Sequence, residues 1–246
     1  MVDVRPPTAT LDRLLSQAAD EATRDHWERY MKGAAMFRGV PMPGIRAAVK
    51  RVWTDEGLAA WATEDLLTLA HQWFGARPSE DKLAAVLLLA EHVAPRLALV
   101  HVPALARPLA VGHVADWNVC DWYATKALHA FLAGADDLLD RAVAVAAWSG
   151  AAGLWQRRAG VVAFAKLAPR AADLFDGFVP LVLDACARNL VSDDRFAHTG
   201  PGWFLRELSR SVPDAVAAFV EAHPELSPEA RRMATARLRP GPYRRR

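Results

Sequence analysis

The chain has 246 residues, of which 52% are hydrophobic and 24% are charged. This hydrophobic content is enough for a sizeable core and excludes an intrinsically disordered chain. The formal net charge is only +2, so the overall charge alone gives no sign of a nucleic-acid partner.

Residues with high helix propensity dominate the chain, and Pro and Gly interrupt the helical patterns at short intervals. Apolar and polar residues do not alternate over any long segment, so strands are not expected. Ser79 is interpreted as the cap of the helix that follows it. The predicted helices, in chain order, lie near residues 10–31, 45–53, 62–74, 80–93, 97–110, 117–132, 138–147, 153–167, 172–189, 202–211, 213–222 and 227–237.

Helices of this length with short connections predict stacked antiparallel pairs, at a spacing near that of HEAT-type repeats. The sequence therefore predicts an all-α fold, an α-solenoid of HEAT-like antiparallel helix pairs. It is expected to form one domain over residues 1–240, followed by a basic C-terminal tail at 241–246. Such a stack builds a concave surface from one face of successive helices. A stack with polar ends needs no partner, so a monomer is expected.

The two cysteines, Cys120 and Cys186, lack the spacing of metal ligands. We interpret both as free, buried thiols in a reducing cytoplasm. The N-terminal residues contain no apolar signal core, and the apolar run 86–90 is too short to span a membrane, so a soluble intracellular protein is expected. The eight histidines form no metal-ligand pattern with Asp, Glu or Cys, and no metal site is predicted.

The segment DWNVCDWYATKAL (116–128) is the most informative part of the sequence. Trp117 and Asp121 are four residues apart in a predicted helix, so their side chains share one face. For an isolated pair, a core tryptophan beside a surface aspartate is the more frequent explanation. However, five of the nine tryptophans lie at positions 117, 122, 148, 155 and 203, most of them near charged residues, which favours a binding site.

Cationic side chains accompany the later tryptophans. Arg157 and Arg158 are adjacent on a predicted helix and point about 100° apart, so one of them can face a cleft. Arginine suits phosphate because its planar guanidinium donates two hydrogen bonds at once, although an ion pair with a neighbouring helix explains either residue equally well. The last twenty residues contain seven arginines, including Arg231 and Arg232, opposed only by Glu229. We interpret this basic end as a phosphate-binding surface or a solvated tail.

Five segments resemble, in the same order, the AlkD-like DNA alkylation repair proteins, which are glycosylases built from HEAT-like helical repeats. The resemblance covers most of the chain, and five segments in order are far more specific than any one of them. The segments are YMKGAAMFRGVPMPGIRAAVK (30–50), Trp117-x-x-x-Asp121, Trp155-x-x-Arg158, Gly202-Trp203-x-Leu205-Arg206-Glu207 and LSPEARRMATARL (226–238).

The resemblance implies that Asp121 is the catalytic carboxylate and that Trp117 and Trp203 line the site of the damaged nucleotide. Arg158 would help to hold the DNA backbone or the carboxylate. The substrate would be double-stranded DNA containing alkylated bases, bound on the concave face, and no metal or cofactor would be used. Cationic purines such as N3-methyladenine and N7-methylguanine would be excised. The side chains expected to contact the DNA backbone are Arg157, Arg206, Lys126, Arg231 and Arg232.

The chain departs from the family pattern immediately before Trp203. Helix-forming residues and a basic side chain are expected there, but this sequence has Thr199-Gly200-Pro201-Gly202. Because Gly and Pro are unfavourable inside helices, we predict a remodelled turn followed by a helix that starts at Pro201. Such a change would alter adduct preference or weaken the contact with DNA.

The chemistry of an alkylated purine fits these residues. The base is cationic and leaves readily, so excision mainly requires stabilisation of the positive charge that develops on the sugar, which a fixed carboxylate can supply. A shallow cleft would hold the backbone of the damaged nucleotide without enclosing the base, which would admit bulky adducts. Two alternatives are a catalytically inactive protein that binds damaged or branched DNA and a helical scaffold that binds protein. DNA binding, unlike scaffold binding, should weaken steeply with salt.

Overall fold

The computed structural model describes residues 2–238, and all regular secondary structure within them is helical. The only β-type contact in this range is an isolated bridge between Met36 and Pro78. The predicted all-α class is therefore confirmed. Within the same residues, no helix combines the length and the apolar character that a bilayer crossing requires. The predicted basic tail at 241–246 lies outside the described residues.

The chain divides into two compact units, with the boundary between Phe131 and Leu132. The single domain over residues 1–240, the HEAT-like pairing and the concave face stay predictions. The helices of the first unit are α1 (Arg5–Gln17), α2 (Glu21–Tyr30), α3 (Met42–Asp55), α4 (Thr63–Phe74), α5 (Ser79–Leu88), α6 (Val102–Ala110) and α7 (Trp117–Trp122), and the short α8 (His129–Leu132) ends at the boundary. Those of the second unit are α9 (Leu138–Ala146), α10 (Leu154–Val162), α11 (Phe178–Asn189), α12 (Arg195–Leu208), α13 (Pro213–Ala222) and α14 (Pro228–Thr235).

Helix α5 lies at the centre of the first unit, where it packs against α1, α3, α4 and α7. Its residues from Leu83 to Leu88 are all buried, as expected of a helix that is apolar on every side. A π-helical turn at Tyr123–Leu128 follows α7 and also packs against α5. Tyr123 anchors this turn, because its ring meets Phe74 edge-on at 5.3 Å and its hydroxyl donates to the carbonyl of Leu105 at 2.6 Å. The helix that carries Trp117 and Asp121 is thus fixed in the core.

Two buried acidic residues in the first turn of α5 hold the loop that precedes α3. The Glu80 carboxylate accepts hydrogen bonds from the backbone N–H groups of residues 38, 39 and 40 at 2.9, 2.8 and 3.1 Å. The Asp81 carboxylate accepts two from the Arg38 guanidinium, at 2.7 and 2.9 Å. These bonds satisfy backbone donors that no secondary structure satisfies, and they fix the position of the adjacent Phe37.

The structure corrects the predicted boundary near Trp203. Helix α12 begins at Arg195 and runs through Pro201 to Leu208, so the predicted turn and helix start at Pro201 are wrong. The glycines there permit close packing of helices. A Cβ atom on Gly202 would lie 2.7 Å from the Ala230 Cα in α14, and one on Gly200 would lie 3.2 Å from the Arg158 Cγ in α10. Tertiary packing therefore overrides the low helix propensity of these residues.

Other predicted boundaries fail for local reasons. The helix predicted at 10–31 is two helices, because Asp20 adopts an extended conformation and its side chain caps α2 by accepting a hydrogen bond from the Thr23 N–H at 2.7 Å. Helix α11 starts only at Phe178, after Gly177 with φ +92°. Helix α5 does start at Ser79, but Pro78 occupies the cap position and no side chain caps the helix.

Candidate active site

The start of α7 is defined by Asp116. This residue is extended, and its carboxylate accepts a hydrogen bond from the Val119 N–H at 2.9 Å, as an N-cap residue does. Burial raises the pKa of the Asp116 carboxyl, against the opposing effect of the hydrogen bond from Val119. Because the cap fixes the first helical residue, Trp117 and Asp121 lie one turn apart on the same face of α7, as predicted.

Phe37, Trp27, Tyr30 and Trp117 form a row of aromatic contacts that ends at this face. Trp117 meets Tyr30 at the end of α2 with ring centroids 6.0 Å apart and planes inclined by 67°. Trp27 meets Tyr30 edge-on at 5.7 Å and stacks on Phe37 at 6.0 Å. Tyr30 is 58% exposed, and Trp117 is partly exposed. Neither Trp27 nor Tyr30 is among the predicted site residues, although Tyr30 begins the first of the resembling segments.

The carboxylate face of α7 continues into the π-helical turn. The hydroxyl of Thr125 donates to the backbone carbonyl of Asp121 at 2.6 Å, and Asp121 is partly exposed. Turns of this type widen a helix locally and are frequent at functional sites. Lys126 lies in the same turn with its ammonium 5.3 Å from the centre of the Trp122 ring. This cation, predicted to contact DNA, therefore stands over an aromatic face in the first unit.

A small apolar pocket of about 100 Å³ adjoins α7 on its neighbouring side. Asn118 and Trp122 of α7 line it. Each follows directly after Trp117 or Asp121 in the sequence, so the pocket lies beside the face that carries those two residues. Trp27 from the aromatic row also lines it. Pockets that enclose a drug-sized ligand measure roughly 300–1,000 Å³, so this one is too small to hold a complete nucleotide.

In the second unit, Arg158 is a buried cation on α10, with 5% of its surface exposed. Its Nη1 donates to the Phe196 carbonyl at 3.0 Å and to the Thr199 hydroxyl at 3.2 Å. Its guanidinium also stands 5.9 Å from the centre of the Phe196 ring. Gly200 provides the room, because its missing side chain is where the Arg158 stem packs. The segment that departs from the family pattern therefore positions this arginine.

Trp203 and Arg206 lie three residues apart on α12, and both are partly exposed. The Arg206 Nε donates to the Glu207 carboxylate at 3.1 Å, and Arg237 donates to the same carboxylate at 2.8 Å. Burial of Glu207 would raise its pKa, but the hydrogen bonds from the two arginines lower it below the usual value. Arg206 is thus an ion-paired residue next to Trp203.

The remaining predicted DNA contacts differ in what they bind within the second unit. The Arg157 guanidinium donates to the carbonyls of residues 151 and 152 at 3.1 and 2.7 Å. Arg231 donates to the carbonyls of Val220 and His223, both at 2.9 Å, at the C-terminal end of α13. Arg232 is exposed. Their contact with DNA stays a prediction.

The predicted site residues thus fall into two groups, one in each unit. Trp117, Asp121 and Lys126 share the α7 segment of the first unit, and Arg158 and Trp203 lie on the packed helices α10 and α12 of the second. Among residues 2–238, no group of three His, Cys, Asp or Glu side chains is placed to hold a metal ion.

Comparisons with known proteins converge on one description. A family model described as DNA alkylation repair enzyme matches residues 11–238. Three solved chains are also similar. One of them, titled a predicted DNA alkylation repair enzyme from Enterococcus faecalis, is 22% identical with a TM-score of 0.75, and the match covers 89% of this chain and 96% of that one. At that identity the likeness shows the fold alone. No curated protein matches the sequence.

Proposed function

Because the chain belongs to the family of DNA alkylation repair enzymes, we propose that it is a DNA glycosylase that removes cationic alkylated purines such as N3-methyladenine and N7-methylguanine. The observation that carries this proposal is the face of α7, where a partly exposed carboxylate, Asp121, stands one turn from Trp117 and its partner Tyr30. An anion beside an accessible aromatic surface suits a substrate that carries positive charge.

The reaction needs an anion more than it needs an acid. When the bond between C1′ and the purine nitrogen breaks, its electron pair leaves with the base, which becomes neutral. Positive charge then develops on the sugar, and water adds to C1′ and releases a proton. A carboxylate fixed near C1′ stabilises that charge and can orient the water. We assign this role to Asp121, whose helix is held by the Asp116 cap and the Tyr123 anchor.

The aromatic groups supply recognition. A cation over the face of an aromatic ring gains about 0.5–2 kcal/mol, a gain that a neutral, undamaged base does not obtain. Trp117 and Tyr30 offer such rings in the first unit, and we assign the same role to Trp203 in the second. Uracil, which is neutral, should be a poor substrate.

We further propose a mechanism without base enclosure. The apolar pocket on the neighbouring side of α7, at about 100 Å³, does not accommodate a flipped purine nucleotide. The protein would hold the backbone of the damaged nucleotide and leave the base outside, so that bulky substituents on the base are tolerated. In that case the instability of the lesion itself contributes much of the discrimination.

The test is release of free base from methylated duplex DNA by the wild-type protein and by Asp121→Asn. Loss of one preorganised charge-stabilising group costs about 10²–10³-fold in rate, so we expect a fall of that size. The matched control is Asp176→Asn, which makes the same chemical change at an exposed loop position of the second unit and should leave the rate unchanged. Equal release by wild type and Asp121→Asn would refute the role of Asp121. If the wild type releases no base but binds DNA in a salt-sensitive way, the alternative of a catalytically inactive DNA-binding protein would be supported instead.

A further inference from the structure

A polar groove of about 370 Å³ lies in the first unit at the N-terminal end of α7. Three loops form its walls: residues 33–36 after α2, residues 75–77 after α4 and residues 112–116 before α7. The first loop follows Tyr30, and the third ends next to Trp117, so the groove starts where the aromatic row of the candidate site ends. None of the residues to which we assigned a catalytic or base-recognition role lines it.

The groove contains a half-buried cation. Lys82, in the first turn of α5, lines it and donates a hydrogen bond to the carbonyl of His113 at 2.6 Å. Within residues 2–238 the Lys82 ammonium forms no direct ion pair, although the Asp116 carboxylate, which caps α7 and also lines the groove, attracts it electrostatically. Burial lowers the pKa of Lys82, which Asp116 partly opposes. The protonated Lys82 has lost water, its hydrogen-bond partner is a neutral carbonyl and Asp116 compensates the loss only in part, so an anion in the groove would stabilise it further.

A second cation lines the same groove at its rim. Arg77 is exposed, and among the residues that the structure describes it forms neither a hydrogen bond nor an ion pair. Its planar guanidinium is therefore available to a phosphate, with which it can form two parallel hydrogen bonds. This distinguishes Arg77 from Arg157 and Arg231, whose guanidinium groups bind backbone carbonyls.

Positive charge extends beyond the turn at residues 75 and 76. An adjoining cavity of about 570 Å³ shares this turn and His113 with the groove, and Arg107 and His71 also line it. Arg107 is exposed and unpaired among residues 2–238. The one carboxylate that lines this cavity, Asp81, is already paired with Arg38. Among the described residues, Arg77 and Arg107 are thus exposed cations near residue 75 that no carboxylate pairs, whereas Lys82 shares its groove with the Asp116 carboxylate.

We propose that this groove binds the phosphodiester backbone of the DNA strand next to the damaged nucleotide, with Arg77 and Lys82 each contacting a phosphate. The proposal rests on the proposed function, because it takes DNA as the occupant. A strand that places its damaged nucleotide against Trp117 and Tyr30 would have its next phosphates at the N-terminal end of α7, where the groove lies. A neutral occupant would leave Arg77 without a counter-charge and Lys82 with only the partial compensation from Asp116.

The experiment measures the affinity for unmodified and methylated duplex DNA over a series of salt concentrations. The variants are Arg77→Gln and Lys82→Met, the second of which keeps the apolar stem of the side chain. Each lost phosphate contact should reduce the slope of log affinity against log salt by about 0.9, and should weaken binding to both DNA substrates alike. The control is Arg13→Gln, which removes the same charge from an exposed, unpaired position on α1 that does not line the groove.

The expected result is a smaller slope for both groove variants, equal on the two DNA substrates, and a slope like that of the wild type for Arg13→Gln. Slopes unchanged in both groove variants, or a loss confined to methylated DNA, would overturn the proposal, because a backbone contact does not depend on the base. Base release separates this proposal from the glycosylase. If the wild type releases no base but the groove variants show smaller slopes, phosphate binding in the groove would be supported and the glycosylase activity refuted. Release of base by the wild type, with unchanged slopes in the groove variants, would support the glycosylase activity and refute phosphate binding in the groove.

Discussion

Gly202→Ala should destabilise the protein, although it replaces glycine by alanine inside a helix. In an open helix this exchange gains about 1 kcal/mol. Here the new Cβ atom would lie 2.7 Å from the Cα, 2.8 Å from the carbonyl oxygen and 2.9 Å from the Cβ of Ala230. Two of these three atoms belong to the backbone, so no rotamer change can relieve the contact and α12 and α14 must separate.

The expected size follows from these opposing effects. Overpacking of a well-packed interface costs about 1–3 kcal/mol, and contact with backbone places this case at the upper end. After the gain in helix propensity, we expect a net loss of about 2 kcal/mol in the free energy of unfolding. For a chain of this size, that corresponds to a melting temperature lower by about 4–8 °C.

The assay is thermal unfolding followed by far-UV circular dichroism, with urea unfolding as a second measurement. Gly150→Ala is the matched control, because a Cβ atom there meets nothing within 4 Å and its φ is not positive. It should be neutral or stabilise by up to about 1 kcal/mol through the unfolded chain. A Gly202→Ala protein that melts at or above the wild-type temperature would refute the close approach of α12 and α14.

Two further predictions concern the first unit. Tyr30→Ala should lower the rate of base release but change the free energy of unfolding by less than about 1 kcal/mol, because Tyr30 is 58% exposed and its aromatic partners are Trp27 and Trp117. An unchanged rate of base release would show that Tyr30 is not part of the site. Glu80→Gln should cost about 2–3 kcal/mol in urea unfolding, because the amide offers one acceptor oxygen where the buried carboxylate serves three backbone N–H groups of residues 38–40. A loss below about 0.5 kcal/mol would contradict that accounting.

The sequence was a good guide to helical class and to the face of α7. Trp117 and Asp121 were placed on one helix face from their spacing alone, and the structure confirms that placement. The reason is physical: the position of side chains around a helix depends only on the helical period, which is local. The start of this helix is also local, since Asp116 provides the cap within the same segment.

Features that depend on distant contacts could not be predicted in this way. Tyr30 looks like an ordinary exposed helix residue until its contact with Trp117 is seen. The sequence at Gly200, Pro201 and Gly202 reads as a turn, because Gly and Pro are unfavourable in isolated helices. Only the positions of Arg158 and Ala230 show that these small residues allow neighbouring helices to approach. Propensity describes what a segment does alone, and here packing decides the outcome.

The arginines show the same limit of sequence-based prediction, and this limit concerns which residues bind DNA. A sequence shows where positive charge lies but not whether the hydrogen bonds of that charge are already used. Arg231 belongs to the basic C-terminal segment, yet its guanidinium closes the C-terminal end of α13. Arg77 lies outside any basic cluster of the sequence, yet among the described residues none of its donors has a partner. Since a donor that is already satisfied adds little hydrogen-bond energy to a phosphate contact, Arg77 should contribute more to DNA affinity than Arg231, against the ranking that charge density in the sequence suggests.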